Sequence, residues 1–166
     1  MELDRSSRYL YNNHLTDILD SLNTLVGVID LHSNRLGKMP SLNEYKPLDT
    51  VKEVILGDNN IERFYWHQFP LQTEVIDLSY NELKILPIIS DYDTCLLVKT
   101  LTLYKNRIQE VKAEQLPTTI EYIDLRRNYL SLLPDLSHLR LSKLSVPSNS
   151  LSEVGVALHG GLCRHD

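Results

Sequence analysis

Few side chains in this 166-residue chain could carry out chemistry, and their spacing limits what that chemistry could be. His14, His32, His67, His138, His159 and His165 are dispersed, and none falls in an H-E-x-x-H, C-x-x-C or G-x-S-x-G setting. The densest group is H-G-G-L-C-R-H-D at 159–166, where His159, Cys163 and His165 stand close enough in sequence to grip a metal ion. A Gly-Gly pair so near the last residue reads instead as a frayed end, so no metal or other cofactor is expected. Gly160 and Gly161 are not followed by Lys-Ser/Thr, so they form no phosphate loop. Asp30, Asp77 and Asp124 recur at a fixed interval, and on alternate rungs of a parallel sheet they would stand about 9.6 Å apart. That is too far to share a metal ion, and it argues against the paired carboxylates of a glycosidase.

Composition narrows the field further. A formal net charge of -5 and the lack of any concentrated Lys/Arg run argue against a nucleic-acid partner. The opening M-E-L-D-R-S-S-R-Y lacks the order of a secretory signal, and no apolar run approaches the roughly 18 residues of a membrane span. Cys95 and Cys163 are too few and too far apart for a disulfide framework. A soluble, cytoplasmic chain with no membrane partner is expected.

The elements that must position these residues emerge from self-similarity. I-D-L-H-S-N-R-L (29–36), I-D-L-S-Y-N-E-L (76–83) and I-D-L-R-R-N-Y-L (123–130) are offset by 47 residues. Between them lie V-K-E-V-I-L-G-D-N-N-I (51–61), V-K-T-L-T-L-Y-K-N-R-I (98–108) and L-S-K-L-S-V-P-S-N-S-L (141–151). All six fit L-x-x-L-x-L-x-x-N-x-L, with Asn34, Asn59, Asn81, Asn106, Asn128 and Asn149 in the shared place, and R-Y-L-Y-N-N-H-L (8–15) adds Asn13.

The motif resembles that of leucine-rich repeat proteins, whose period lies in this range. The clauses M-P at 39–40, L-P at 86–87 and 133–134, and L-P-T-T-I-E-Y-I-D-L at 116–125 resemble the Pro-containing repeats of bacterial effectors, and overlap with short intracellular repeats of regulatory subunits. The resemblance implies an α/β solenoid, a horseshoe with a parallel β-sheet on its concave face and irregular or short helical convex segments. One domain spans 1–166: a degenerate repeat at 5–25, six repeats starting near 26, 51, 73, 98, 120 and 141, and a tail at 155–166.

Within L-x-x-L-x-L a short strand alternates inward apolar and outward variable side chains, and stacked copies pair about 4.8 Å apart. The inward set runs from Val26, Ile29, Leu31 and Leu36 to Leu144, Val146 and Leu151, each side chain contributing about 1.5 to 3 kcal/mol when fully buried. The Asn carboxamide both donates and accepts, so a row of Asn can pair the backbone groups freed where the chain leaves the strand. Cys95 aligns with Leu48 and is expected in an apolar, inert position. Residues 15–25 place Leu15, Ile18, Leu19, Leu22 and Leu25 at helical spacing, a short helix on the convex side.

Function is then sought on the outward face. Val28, Ile55 and Val75 put apolar groups on three adjacent rungs, and Tyr80, Tyr104 and Tyr122 continue an aromatic path, joined by Tyr9 and Tyr11. Lys99, Lys105, Arg126 and Arg127 add positive charge, while Asp30, Asp77 and Asp124 offer acidic contacts or are inherited from the duplicated unit. Apolar and Tyr groups rimmed by charge suit a protein-binding surface. In R-F-Y-W-H-Q-F-P (63–70), Phe64 and Phe69 align with Val111 and Leu116 and should point inward. Trp66 aligns with Ala113 between two polar positions and is expected on the convex surface, either lying flat there or serving as a second contact site.

The expected function is therefore non-catalytic binding of another protein through the concave face, as an inhibitor, adaptor or host-targeting factor of bacterial, phage or viral origin, acting in the cytoplasm or a host's. The alternatives are a regulatory subunit of a larger enzyme, or an enzyme using the C-terminal His and Cys cluster. Self-association through an uncapped solenoid end is a further expectation.

Overall fold

The computed structural model describes residues 7–16, 27–44, 50–90, 97–133 and 135–154. Among these, seven short strands form one parallel sheet: β1 (Ser7–Tyr9), β2 (Val28–Asp30), β3 (Glu53–Ile55), β4 (Val75–Asp77), β5 (Thr100–Thr102), β6 (Tyr122–Asp124) and β8 (Lys143–Ser145). Two further strands, β7 (Leu132–Leu133) and β9 (Glu153–Val154), pair with each other in a separate parallel sheet. The register repeats from rung to rung, Ile29 facing Val54, then Ile76, Leu101, Ile123 and Leu144. These central residues are buried, as are Leu31, Leu56, Leu78, Leu103 and Leu125 two positions on. One rung has no second layer of its own, so each buries its apolar edge only against its neighbours.

Where the chain leaves each strand, the recurrent Asn joins consecutive rungs. The Asn106 carboxamide donates to the carbonyls of Leu103 on its own rung and Leu78 on the preceding one, and accepts the N–H of Leu83. Asn59, Asn81 and Asn128 repeat this pattern and are likewise buried. Reaching this geometry requires a sharp reversal, and the residue just before every such Asn has positive φ: Asn12, Ser33, Asp58, Tyr80, Lys105, Arg127 and Ser148, between 52° and 61°. The left-handed conformation brings an L-residue's Cβ close to the following carbonyl oxygen, at about 1 to 2 kcal/mol.

The convex connections contain 3-10 turns, Leu42–Glu44, Trp66–Gln68 and Ala113–Gln115 among the described residues. The last two are 47 residues apart and share their bonding. Gln68 accepts the N–H of Tyr65 and donates to the Met39 carbonyl; Gln115 accepts the N–H of Lys112 and donates to the Leu86 carbonyl. Each glutamine thus ties its turn to the preceding repeat.

Trp66 is not on the surface. It is 1% exposed, meets Phe64 edge-on with ring centroids 5.2 Å apart, and donates its indole N–H to the Pro87 carbonyl at 3.2 Å. This overturns both its expected exposure and its candidacy as a second contact. In a 3-10 turn, residues three apart share a face, so Trp66 points the same way as buried Phe69. Alignment with Ala113 compared residue types and missed this direction; Ala113 is itself half-buried. Phe64 and Phe69 are buried. Leu15 packs against the core, whereas Val26, the rest of the helix read at 15–25, Cys95 with its counterpart Leu48, and the 155–166 tail with His159, Cys163 and His165 lie outside the described residues.

Two outcomes are expected. Trp66 emission should be blue-shifted and resistant to iodide quenching in the folded chain, and Trp66→Ala should cost about 3 to 5 kcal/mol in urea unfolding. Asn106→Ala orphans buried groups worth about 1 to 3 kcal/mol each, so its melting temperature should fall well below that of Asn13→Ala. Exposed Asn13 donates, among the described residues, to the carbonyls of Leu10 and Tyr11 and joins no preceding rung there, which makes it the internal control.

Candidate protein-binding face

The register places the candidate residues in rows across the open face of the sheet. The first strand positions run Val28, Glu53, Val75, Thr100, Tyr122, Lys143, and the third run Asp30, Ile55, Asp77, Thr102, Asp124, Ser145. Val28 and Val75 are therefore separated by Glu53, with Ile55 diagonal to both, and all three apolar side chains are half-buried. They form a staggered group and not a continuous stripe.

The three aspartates do not stand out as free acidic contacts. Each closes onto its own chain, its carboxylate accepting the backbone N–H two residues on: His32 to Asp30 at 3.1 Å, Ser79 to Asp77 at 2.8 Å and Arg126 to Asp124 at 3.0 Å. A short carboxylate on the last strand residue reaches this amide readily, and the bond helps turn the chain out of the strand. Asp30 also meets His32 Nδ1 at 2.7 Å. Asp124 takes a two-pronged contact from the Arg126 guanidinium, with Nη2 at 2.6 Å and Nε at 3.0 Å. Asp30 is 6% and Asp124 2% exposed, whereas Asp77 is half-buried; all three serve the turn out of the strand.

The tyrosines divide into two groups. At the N-terminal end Tyr9 and Tyr11 are exposed, and Tyr11 stacks on the His32 ring at 4.8 Å. Toward the other end Tyr80 and Tyr104 pack edge to face, with centroids 5.1 Å apart. Lys105 Nζ lies 4.7 Å over the Tyr80 ring, and the Arg126 and Arg127 guanidinium carbons lie 5.2 and 5.7 Å over Tyr104. Lys143 covers Tyr122 at 5.1 Å, and the Tyr122 hydroxyl reaches Asp124 at 3.4 Å. Each cation comes from the rung after its ring, so the interactions tile across β4, β5, β6 and β8. The neighbouring Tyr104 hydroxyl raises the Tyr80 phenol above its ordinary value, and burial followed by the Asp124 charge does so for Tyr122. The Asp124 contact likewise raises the Arg126 guanidinium, which stays charged.

Sequence reasoning missed a three-rung clasp. Glu74 bridges Lys52 at 3.0 Å and Lys99 at 2.8 Å, so Lys99 is engaged within the sheet face and adds less open positive charge than its outward position suggests. The signal was present, since residues 52, 74 and 99 occupy matching outward positions. Hydrogen bonds from Lys99 and then Lys52 lower the Glu74 carboxylate below its ordinary value. No group of three or more His, Cys, Asp or Glu that could hold a metal occurs among the described residues. No described helix is long and apolar enough to cross a membrane.

A depressed folded-state value means that the clasp contributes fully above the unfolded-state carboxylate value and is lost as pH falls through the folded one. Titration of Glu74 followed by NMR should therefore have an acid-shifted midpoint, returning toward the ordinary value in Lys99→Met; an unshifted wild-type midpoint would mean that the clasp does not persist in solution.

By sequence the chain matches no family model and no curated protein. By structure it is similar to YopM from Yersinia enterocolitica, with a TM-score of 0.63 and 21% identity over 88% of this chain and 34% of that one. It is also similar to a leucine-rich repeat protein from Bacteroides eggerthii, with a TM-score of 0.63 and 22% identity over 86% of this chain and 27% of that one. The chain thus spans about a third or less of the length of the two solved structures. Repeating register, inter-rung Asn ladder and structural likeness agree: this chain has the leucine-rich repeat fold.

Proposed function

We propose that the chain is a non-catalytic module that binds a partner protein through the concave face of its sheet, acting by covering a surface of that partner. The observation that carries this reading is the Tyr80–Tyr104 pair with its overlying cations. It displays large amphipathic side chains with few rotatable bonds on a rigid, hydrogen-bonded scaffold. Tyr and Arg dominate the energetics of protein interfaces because each combines apolar contact area with a directional polar group. The fold supports the reading, since a ladder of short strands presents one side chain per rung at fixed spacing. We infer a cytoplasmic setting, in the chain's own cell or a host's, from the scarcity and separation of its cysteines.

The test uses the whole chain as bait. Tyr80→Ala with Tyr104→Ala should weaken a stoichiometric partner by about thirtyfold or more, as loss of a hot spot does. Tyr129→Ala, an exposed tyrosine just past a ladder Asn, should leave binding intact. Circular dichroism must show that both variants fold. Binding that survives the double change but fails in Tyr129→Ala would place the interface elsewhere.

A further inference from the structure

The left-handed position before each ladder Asn is occupied in two ways. On four rungs it holds a short polar residue, Asn12, Ser33, Asp58 or Ser148, and on β4, β5 and β6 it holds Tyr80, Lys105 and Arg127. Asn and Asp are the residues other than glycine most enriched at positive φ, and bulky side chains are uncommon there. Every rung carries this backbone conformation, and on three consecutive rungs the residue that carries it presents a long side chain at one edge of the open face. The surrounding structure must hold such residues in place. Here the ladder does so, with the backbone N–H of Tyr80 bonded to the Tyr104 carbonyl and that of Lys105 to the Arg126 carbonyl.

Charge gives a second, independent observation. Arg126 is held by Asp124, and Lys99 by Glu74. Lys105 and Arg127 form no salt bridge with a carboxylate among the described residues; their contacts are with the Tyr80 and Tyr104 rings. Asp58, in the same position on the preceding rung, accepts the Ser33 hydroxyl and bounds the positive zone on that side. A cation on an aromatic face keeps its charge available while the ring limits its movement.

We propose that Tyr80, Tyr104, Lys105 and Arg127 form a docking site for an acidic segment of the partner protein, with carboxylates set against the Lys105 and Arg127 cations. This rests on the concave-face reading and gives it a chemistry. Lys105 and Arg127 occupy equivalent positions on neighbouring rungs, about 4.8 Å apart at the backbone, which suits carboxylates presented close together along an extended peptide. A single-stranded nucleic acid fits less well. Its bases require open aromatic faces, and here Tyr80 is covered by Lys105 and Tyr104 by Arg126 and Arg127.

The experiment is selection of a random displayed-peptide library on the whole wild-type chain, followed by affinity measurement on variants. Selected peptides should be net acidic, weaken with added salt, and lose about tenfold in affinity on Lys105→Gln with Arg127→Gln, while keeping it on convex Lys112→Gln. The proposal is overturned by no enrichment, by neutral or basic winners, by acidic winners indifferent to the double change, or by a labelled single-stranded oligonucleotide that outcompetes the best peptide. Neutral winners that depend on Tyr80 and Tyr104 would refute the acidic segment alone. Winners indifferent to all four residues would refute the concave-face reading as well.

Discussion

The inter-rung hydrogen bonds of the recurrent asparagines are the constraint on which the rest depends. An apolar column of Leu, Ile and Val drives stacking but is non-directional, and would tolerate small slips between rungs. The Asn carboxamide removes that freedom. It must satisfy one carbonyl on its own rung, and one carbonyl and one amide on the preceding rung, and all three can be met in only one register. The same requirement forces the preceding residue into the left-handed region on every rung. Side-chain placement on the adjoining edge of the open face thus follows from a buried polar network.

That network also explains how the face acquires its character. Residues leaving the strand are close to backbone amides that need partners, so Asp30, Asp77 and Asp124 turn inward to supply them. Arg126 and His32 then fold back over two of those carboxylates. The chain carries net negative charge, yet the acidic groups of this row are engaged internally, leaving Lys105 and Arg127 without carboxylate partners among the described residues.

Several features of the candidate site were legible in the chain. The shared L-x-x-L-x-L-x-x-N-x-L template identified the ladder Asn positions and placed Tyr80 and Tyr104 on adjacent rungs, because a solenoid converts sequence alignment directly into spatial alignment. Trp66 shows where that conversion fails. Alignment with Ala113 transfers residue type, whereas the inward direction comes from a 3-10 turn and from the space beside Phe64 and Pro87, which belong to two different repeats. The aspartates show a related limit: outward by strand alternation, each also accepts the amide two residues on, which alternation does not register. The Lys52–Glu74–Lys99 clasp needed three rungs to be considered together.

The sequence by itself determined the repeat, the inward apolar column and the Asn ladder, because these follow from period and residue chemistry that every rung shares. Only the tertiary structure decided which outward residues remain available. Availability depends on contacts between rungs and on backbone turns, and a carboxylate, an indole or a lysine looks the same in a string of letters whether its partner is solvent or the next repeat.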